Sequence, residues 1–434
     1  MKRPNILYLH SHDTGRYIQP CGYAVHTPHL QHLAEEGILF RQCFSSAPTC
    51  SPSRATLLTG QAPHSSGMLG LAHLGFSLSD YSQHLIHTLR PVGYTTTLIG
   101  HQHIALEPDV IGYDQVREHR GGMRFILDAT KDFLQDAPEP FFLSVGFFET
   151  HREFPWPESE EMTKYSRPPA PLPDTPQTRE EMASFMTSLG WLDNAIGEIL
   201  EALDENDLSE HTLLICTTDH GIAFPGMKCT LTDHGVGVFL IMRGPGGFQG
   251  GRVCDAMVSH IDLFPTLCDF LEVEEPPWLQ GDSLMPLIHG EVEEIHEELF
   301  AEVTYHAAYE PQRAVRTRRW KYIRRFEDRE KPVLPNIDDG LSKELWMEHG
   351  LRDRVIPHEQ LYDLIFDPQE ANNLAADPAY GGILKEMRGR LHRWMFQTED
   401  PLLEGSVPAP IGAELNDPED TSPNDPTLIV GEGG

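Results

Sequence analysis

Short apolar segments that alternate with amphipathic ones constrain the fold of this chain most strongly. Residues 4–9, 141–147 and 213–217 are strand-like runs that are apolar on both faces, and residues 179–203 carry the spacing of a long amphipathic helix. Strands of this kind are typical of parallel sheets that helices cover on both sides. The first 300 or so residues therefore predict an α/β fold with a largely parallel central sheet.

The pattern changes in the last third of the chain. Residues 313–317 and 320–326 predict paired short strands, and residues 384–397 predict a helix, which together indicate a small antiparallel α+β domain. A chain of 434 residues also exceeds one usual core. We predict a catalytic α/β domain, a small α+β domain and an acidic Pro/Gly-rich tail that either wraps the surface or is disordered, at residues 1–295, 296–400 and 401–434.

The formal net charge of −33 limits the partners of this chain. Such a field repels nucleic acid and anionic membranes, and it slows the approach of long polyanions. No apolar stretch reaches the length that spans a bilayer. We therefore expect a small substrate, no nucleic acid and no membrane, although a solubility-adapted surface would also explain the charge.

The seven cysteines are odd in number and lack C-x-x-C pairing, which favours free thiols in a reducing compartment. Lys2 and Arg3 precede the first apolar run without a small-residue cleavage site, so we expect no secretory signal and a cytoplasmic location. The sequence leaves the oligomeric state open, with a homo-oligomer among the alternatives.

Two pairs of polar residues follow apolar strands. His12-Asp13 comes after the first strand-like run, and Asp219-His220 comes after the run at 213–217. Ligands of open parallel sheets bind at the carboxyl ends of the strands, and Asp with His suits a divalent cation. Taken alone, each pair fits an ordinary strand-end loop as well as it fits a metal site.

Cys50-Ser-Pro-Ser-Arg54, followed directly by Ala-Thr-Leu-Leu-Thr-Gly60, matches C-x-P-S-R-x-x-x-L-T-G and resembles the type I sulfatases. The resemblance implies an alkaline phosphatase-like sandwich and conversion of Cys50 to formylglycine by a formylglycine-generating enzyme. The hydrated aldehyde is then the nucleophile, which forms a covalent sulfo-enzyme. A position at a helix N-terminus suits this role, because the free N–H groups there stabilise anions. The plain alternative is a buried free cysteine ahead of an ordinary helix.

The resemblance also implies one divalent metal, and this chain departs from the family at its ligands. Type I sulfatases bind calcium through an Asp-Asp pair and an Asp-Asn pair. Here Asp13 and Asp219 keep two of these positions, while His12 and His220 replace an Asp and the Asn. Imidazole suits transition metals, so we expect manganese, zinc or iron in preference to calcium.

The other catalytic residues are implied by the same resemblance. Arg54 matches the arginine that contacts the formylglycine. In the family's G-K-x-H segment, His101 replaces the lysine and His103 keeps the histidine. His151 matches the histidine that protonates the leaving group, and Lys228 matches the lysine that binds a sulfate oxygen.

Within the family, the segments 61–68 and 219–225 look most like the heparan N-sulfatase (sulfamidase) branch. We therefore predict hydrolysis of a sulfate ester or sulfamate of a small substrate, a sugar. The strongest rival is a phosphonate monoester or phosphodiester hydrolase of the alkaline phosphatase superfamily, which the Asp-His pair favours. A non-enzymatic anion-binding or metal-binding protein is the third hypothesis. It is opposed by the joint retention of four residues: Cys50, Arg54, His151 and Lys228.

Overall fold

The computed structural model describes residues 3–117 and 121–431. Within these ranges one large sheet has nine strands: β1 (Asn5–His10), β2 (Ile38–Phe44), β3 (Thr95–Gly100), β4 (Gln115–Arg117), β5 (Phe141–Gly146), β6 (Thr212–Thr217), β7 (Gly237–Val238), β8 (Leu240–Arg243) and β9 (Arg252–Ser259).

Most strands of this sheet run parallel. The order is β4-β3-β5-β1-β6-β8-β2-β7, and β9 pairs with β2. β1 lies between β5 and β6 and is parallel to both, with Leu7 opposite Leu143 on one side and Leu214 on the other. β8 runs antiparallel to both β6 and β2. The predicted largely parallel central sheet is thus confirmed.

Helices cover both faces of the sheet. The described α-helices are α1 (Pro28–Glu36), α2 (Cys50–Thr59), α3 (Pro63–Ser66), α4 (Ile86–Leu89), α5 (Met123–Gln135), α6 (Glu160–Tyr165), α7 (Pro176–Glu205), α8 (Asp233–Val236), α9 (Leu263–Phe270), α10 (Met285–Ile288), α11 (Leu341–Glu348) and α12 (Gly381–Gln397). Successive residues of β1 point to opposite faces. Ile6 and Tyr8 join the core beneath α2 and α9. Leu7 and Leu9 join the core beneath α1, α5 and α7. None of the described helices is long and apolar enough to cross a membrane.

A second, antiparallel sheet contains β10 (Leu299–Tyr305), β11 (Tyr309–Arg316), β12 (Trp320–Arg325) and β13 (Glu359–Asp363) in that order. One face packs Ala301 and Ile323 against Phe44 of the main sheet. The other face packs Tyr322 against Met387 of α12. The separate antiparallel sheet agrees with the predicted small α+β unit.

The segment after α12 packs against the rest of the molecule up to residue 431. Leu402 and Val407 extend the core between the second sheet and α12. The Tyr305 hydroxyl donates to the Val407 carbonyl at 2.7 Å, and Ala413 is fully buried in the core beneath α2. A short ribbon then pairs β14 (Glu414–Leu415) with β15 (Leu428–Ile429). This packing favours a wrapping tail over a disordered one, and the domain boundaries stay predictions.

Candidate active site

The site lies at the carboxyl edge of the main sheet, where the loops after β1 and β6 meet the start of α2. Parallel strands place their carboxyl ends on one edge, so two pairs that lie about 200 residues apart in the chain converge. Donor atoms of five buried residues lie within 4.8 Å of one another: His12, Asp13, Cys50, Asp219 and His220. This is the same set of metal residues that the sequence predicted, with the cysteine beside it.

Cys50 is the first residue of α2 and is only 1% exposed. Its Sγ lies 3.4 Å from Nε2 of His220. Burial raises the pKa of the thiol well above its ordinary value, and the carboxylates of Asp13 and Asp219 raise it further, although Lys228 acts in the opposite direction. An unmodified Cys50 is therefore held as a neutral thiol, which is a poor nucleophile.

α2 is tied to the loop after β6 by two contacts. Ser53 Oγ donates to the Asp219 carbonyl at 2.5 Å. Arg54 Nη2 donates to Oδ2 of the Asp219 side chain at 2.9 Å. In the same loop a Cβ on Gly221 would lie 2.0 Å from the His234 carbonyl, so only glycine permits the approach that orients His220. These contacts fix the position of Cys50 relative to Asp219 and His220.

Asp13 is the centre of the charge network. Its Oδ2 accepts from Lys228 Nζ at 2.9 Å, and its Oδ1 lies 2.7 Å from His12 Nδ1 and 3.1 Å from His220 Nε2. Burial alone would raise the pKa of Asp13, but Lys228, His12 and His220 together lower it well below its ordinary value. The carboxylate is thus held ionised in a fully buried position.

The buried cations Arg54 and Lys228 balance these carboxylates. Arg54 Nη1 lies 2.6 Å from His10 Nδ1, and Nη2 also donates to the Ser11 carbonyl at 2.9 Å. Burial alone would lower the pKa of Lys228, yet Asp13 and Asp338 raise it well above its ordinary value. Lys228 is thus held in its charged form, and the side chains of both cations contact the cluster.

The remaining predicted histidines lie around His12. The His12 ring lies 5.1 Å from the His101 ring and 5.8 Å from the His103 ring, centroid to centroid. His151 Nε2 lies 3.9 Å from Asp13 Oδ2, and its side chain is 25% exposed, so solvent reaches it. Burial lowers the pKa of His101 and of His103 well below the ordinary value. The structure therefore brings all ten predicted site residues together.

Sequence analysis missed three neighbours of the site. Asp338 Oδ2 lies 3.1 Å from Lys228 Nζ. His306 is buried beside them, and burial, followed by Lys228, lowers its pKa to about 3. His73 Nδ1 lies 2.8 Å from His103 Nε2. Asp338 and His306 lie in irregular segments and His73 lies in a one-turn 3-10 helix, Ala72–Leu74. None of the three has a motif around it, so no signal in a single sequence could have found them.

The cluster fits a divalent cation. Two ionised carboxylates and an imidazole supply three hard or borderline ligands around one point. In addition, Nε2 of His12 is shielded from solvent and has no hydrogen-bond partner among the described residues. A buried polar atom of this kind normally has a partner, so the site has the chemistry and the open valence that a bound metal satisfies.

Comparison with known proteins gives a consistent result. The Sulfatase family model matches residues 4–273. A second model, N-sulphoglucosamine sulphohydrolase, C-terminal, matches residues 227–339. Human N-sulphoglucosamine sulphohydrolase is 30% identical in an alignment that covers 87% of this chain and 87% of that protein.

Solved structures share the same fold. The structure of BT4656 in complex with its substrate D-glucosamine-2-N,6-O-disulfate superposes on this chain with a TM-score of 0.72 at 20% identity. The superposition covers 92% of this chain and 99% of that protein. The phosphonate monoester hydrolase of Agrobacterium radiobacter gives a TM-score of 0.70 at 21% identity, covering 93% and 97%. At these identities the likeness shows a shared fold and nothing about activity.

Proposed function

This chain belongs to the sulfatase family, and from that premise we propose that it hydrolyses the sulfate ester or sulfamate of a small sugar. The nucleophile would derive from Cys50 after conversion to formylglycine by a formylglycine-generating enzyme. A terminal N-sulfated glucosamine is the substrate that we favour, because both the C-terminal family model and the human relative carry that name.

One observation carries this proposal. Cys50 begins a helix, is almost completely buried, and stands beside two ionised carboxylates and two buried cations. A structural cysteine has no need of such surroundings, since it behaves as a small apolar side chain. Charged groups gathered around a helix N-terminus are instead suited to an anionic group and to charge that develops during a reaction.

Each predicted residue has a role that its position supports. The hydrated formylglycine would supply the attacking oxygen. The four predicted ligands would hold a divalent cation that would supply Lewis-acid polarisation, and they are His12, Asp13, Asp219 and His220. Lys228 donates to the transferring group, in addition to its contact with Asp13. Arg54 holds the Asp219 carboxylate in place. His101 and His103 lie beside His12, with ring centroids 5.1 and 5.8 Å from its own.

His151 is the proton donor in this scheme. Its side chain is 25% exposed beside the buried Asp13, which suits contact with a departing sugar oxygen or nitrogen. A leaving group with a high pKa needs a proton as its bond to sulfur breaks. The His151 Nδ1 is engaged by the Arg152 carbonyl at 2.5 Å, so that nitrogen carries the N–H and Nε2 faces the site.

The donor set favours manganese, zinc or iron over calcium. Calcium takes six to eight oxygen ligands, whereas this site offers an imidazole from His220 beside the two carboxylates. We also propose a cytoplasmic location. All seven cysteines lie in the described ranges and are free, as expected in a reducing compartment.

A phosphonate monoester or phosphodiester hydrolase is the second candidate function. The Asp219-His220 pair in the metal cluster favours this candidate. Phosphoryl and sulfuryl groups also share a tetrahedral anionic geometry, so one site can accept either group. The structural likeness to a phosphonate monoester hydrolase concerns the fold alone.

Side-by-side kinetics test the proposal. Purified protein, with the mass of its Cys50 peptide measured, is assayed on N-sulfoglucosamine, an aryl sulfate and an aryl phosphonate monoester. We expect the highest kcat/KM on N-sulfoglucosamine and an aldehyde mass at Cys50. A higher kcat/KM on the phosphonate would favour the second candidate, and an unmodified cysteine in active enzyme would refute the proposed nucleophile.

A further inference from the structure

A cavity of about 470 Å³ lies where the loop after β1 meets α8 and the end of β11. All ten predicted site residues lie outside its lining. Ligand pockets in proteins typically measure about 300–1,000 Å³, so this cavity has room for a molecule the size of a sugar. Three arginine side chains line it: Arg16, Arg316 and Arg318. We term it the Arg16 cavity.

Two of these guanidinium groups share one aromatic ring. The Cζ atoms of Arg16 and Arg316 lie 4.3 and 4.2 Å from the centroid of the Phe44 ring. Each of these contacts is favourable by itself, but together they hold two like charges near each other. Because like charges repel, this arrangement favours an anion beside the pair.

Arg316 already has an anionic partner, whereas Arg16 does not. Arg316 Nη2 lies 3.0 Å from Asp233 Oδ2, and Lys321 Nζ lies 2.5 Å from Oδ1 of the same carboxylate. Arg16 Nη2 donates only to a backbone group, the Cys43 carbonyl, at 2.9 Å. Arg16 forms no ion pair with a carboxylate in the part of the chain that the structure describes.

The other acids near the Arg16 cavity have cations of their own. Asp255, which lines the cavity, lies 3.6 Å from Arg41. Glu294 forms an ion pair with Arg318. Among these charges Arg16 is therefore the cation that is left over. In a chain with a net charge of −33, in which acids are abundant, this uncompensated guanidinium makes the cavity locally attractive to anions.

The wall of the Arg16 cavity is also incompletely satisfied. Arg16 Nε and His234 Nε2 are shielded from solvent and have no hydrogen-bond partner within the described residues. Buried polar side-chain atoms normally have a partner. Tyr17 and Tyr23 line the same cavity, with ring centroids 4.2 Å apart, and supply an aromatic wall. The cavity thus combines an unpaired cation, open polar atoms and aromatic surface.

We propose that the Arg16 cavity binds a small molecule that carries a sulfate or phosphate group, with Arg16 as the main contact of that group. A guanidinium presents a planar fork of donors that matches such oxyanions. The group could arrive as the free ion or on a monosaccharide, whose ring would also reach the aromatic wall. This site goes beyond the proposed function, since its occupancy requires no turnover.

The Arg16 cavity borders the loops that carry the predicted metal ligands. Gly15, which precedes Arg16, donates its N–H to the His220 carbonyl at 2.9 Å. Gly221 donates its N–H to the Gly235 carbonyl at 2.7 Å. A substitution at Arg16 can therefore disturb the active site through the backbone. For this reason binding, and not turnover, is the decisive measurement.

Calorimetry on the purified full chain tests the proposal with four probes: inorganic sulfate, inorganic phosphate, glucose 6-phosphate and glucose. We expect the anions to bind and glucose to bind far more weakly. Tighter binding of glucose 6-phosphate than of phosphate would identify a sugar-borne group, and equal binding would identify the free ion. Arg16→Gln should weaken anion binding by about 10- to 100-fold, as expected for loss of a charge-assisted hydrogen bond. Arg124→Gln, an exposed arginine of α5 with the same change of charge, should match the parent.

Crystals of the parent chain soaked in selenate, a sulfate analogue with an anomalous signal, fix the location and decide the matter if Arg16→Gln fails to fold. We expect a peak within hydrogen-bond distance of the Arg16 guanidinium. A peak beside Lys228 alone, or unchanged anion affinity in folded Arg16→Gln, would overturn the inference. Binding at Arg16 without sulfatase activity would refute the proposed function alone, and sulfatase activity without that binding would refute this inference alone.

Discussion

Two regions of the molecule bury several charges, and they differ in how completely those charges are partnered. The first is the candidate active site. The second, which we term the Arg313 cluster, joins Arg313, Glu302, Asp400 and His64 where the second sheet meets the segment after α12. In the Arg313 cluster the guanidinium is fully buried, and it donates to Asp400 Oδ2 at 2.6 Å and to the Val303 carbonyl at 3.0 Å.

Glu302 completes the Arg313 cluster. It accepts from the backbone and the ring of His64 at 2.8 and 2.9 Å, and it lies 2.9 Å from Arg313 Nε. His64, Glu302 and Asp400 have the spacing of a metal site, but the arginine already occupies the position that a cation would take. Burial alone would raise the pKa of Glu302, yet Arg313 and His64 lower it to about 2.

The candidate active site leaves donors open instead. His12, His101 and His103 each present a nitrogen without a partner in the described part of the chain, whereas the Arg313 cluster leaves one such nitrogen, Nε2 of His64. Several open nitrogens beside buried ion pairs are typical of a site that takes a ligand, while charges that neutralise one another serve the fold. The difference between the two clusters separates a structural network from a functional one.

The largest expected effect comes from Cys50→Ala. Loss of a nucleophile costs on the order of 10³- to 10⁶-fold in kcat. The substitution removes only one small buried group, so we expect the fold to stay intact. Steady-state kinetics with circular dichroism measure this. Cys268→Ala, which is buried outside the site, is the matched control and should keep full activity. Substantial turnover in Cys50→Ala would remove Cys50 from catalysis.

His151→Ala should slow substrates with poor leaving groups by about 10²- to 10⁴-fold, because the general acid is lost. Nitrophenyl sulfate, whose leaving group departs without a proton, should lose far less. Comparison of kcat/KM on the two substrates measures the difference. Equal losses on both would place His151 outside the acid role.

Asp400→Ala tests the Arg313 cluster. Removal of one partner of a buried ion pair costs about 3–5 kcal/mol of unfolding free energy, because the guanidinium is left uncompensated. Urea unfolding measures the loss, and the activity of the folded fraction should match the parent. Asp417→Ala, an exposed acid in the same tail, should change stability by less than about 0.5 kcal/mol. A stable Asp400→Ala would show that the cluster does not support the fold.

The smallest effect concerns substrate size. With a net charge of −33, the protein disfavours the approach of a sulfated polymer. Salt screens that repulsion beyond about 8 Å at physiological ionic strength. We expect N-sulfoglucosamine to be cleaved faster than intact heparan sulfate, with a gap that narrows as salt is added. Faster cleavage of the polymer at low salt would contradict the preference for a small substrate.

Much of this protein could be predicted from its sequence. The alternation of apolar runs and amphipathic segments predicted the parallel sheet, because each strand that helices cover on both faces must be apolar throughout. The cysteine signature predicted the family and the enzyme class, a sulfuric ester hydrolase, and the comparisons confirm both. The formylglycine, the metal and the residue roles remain predictions.

The sequence by itself determined which residue types stand at the strand ends, since His12-Asp13 and Asp219-His220 follow their strands directly along the chain. Only the tertiary structure decided what those residues meet. Asp338 and His306 reach Lys228 from the C-terminal part of the chain, and His73 reaches His103 across 30 residues. Such contacts depend on how separate loops pack in space, and no local pattern of hydrophobicity or spacing records them. The open nitrogens of His12, His101 and His103 arise in the same way, because whether a buried atom has a partner is a property of the packed structure alone.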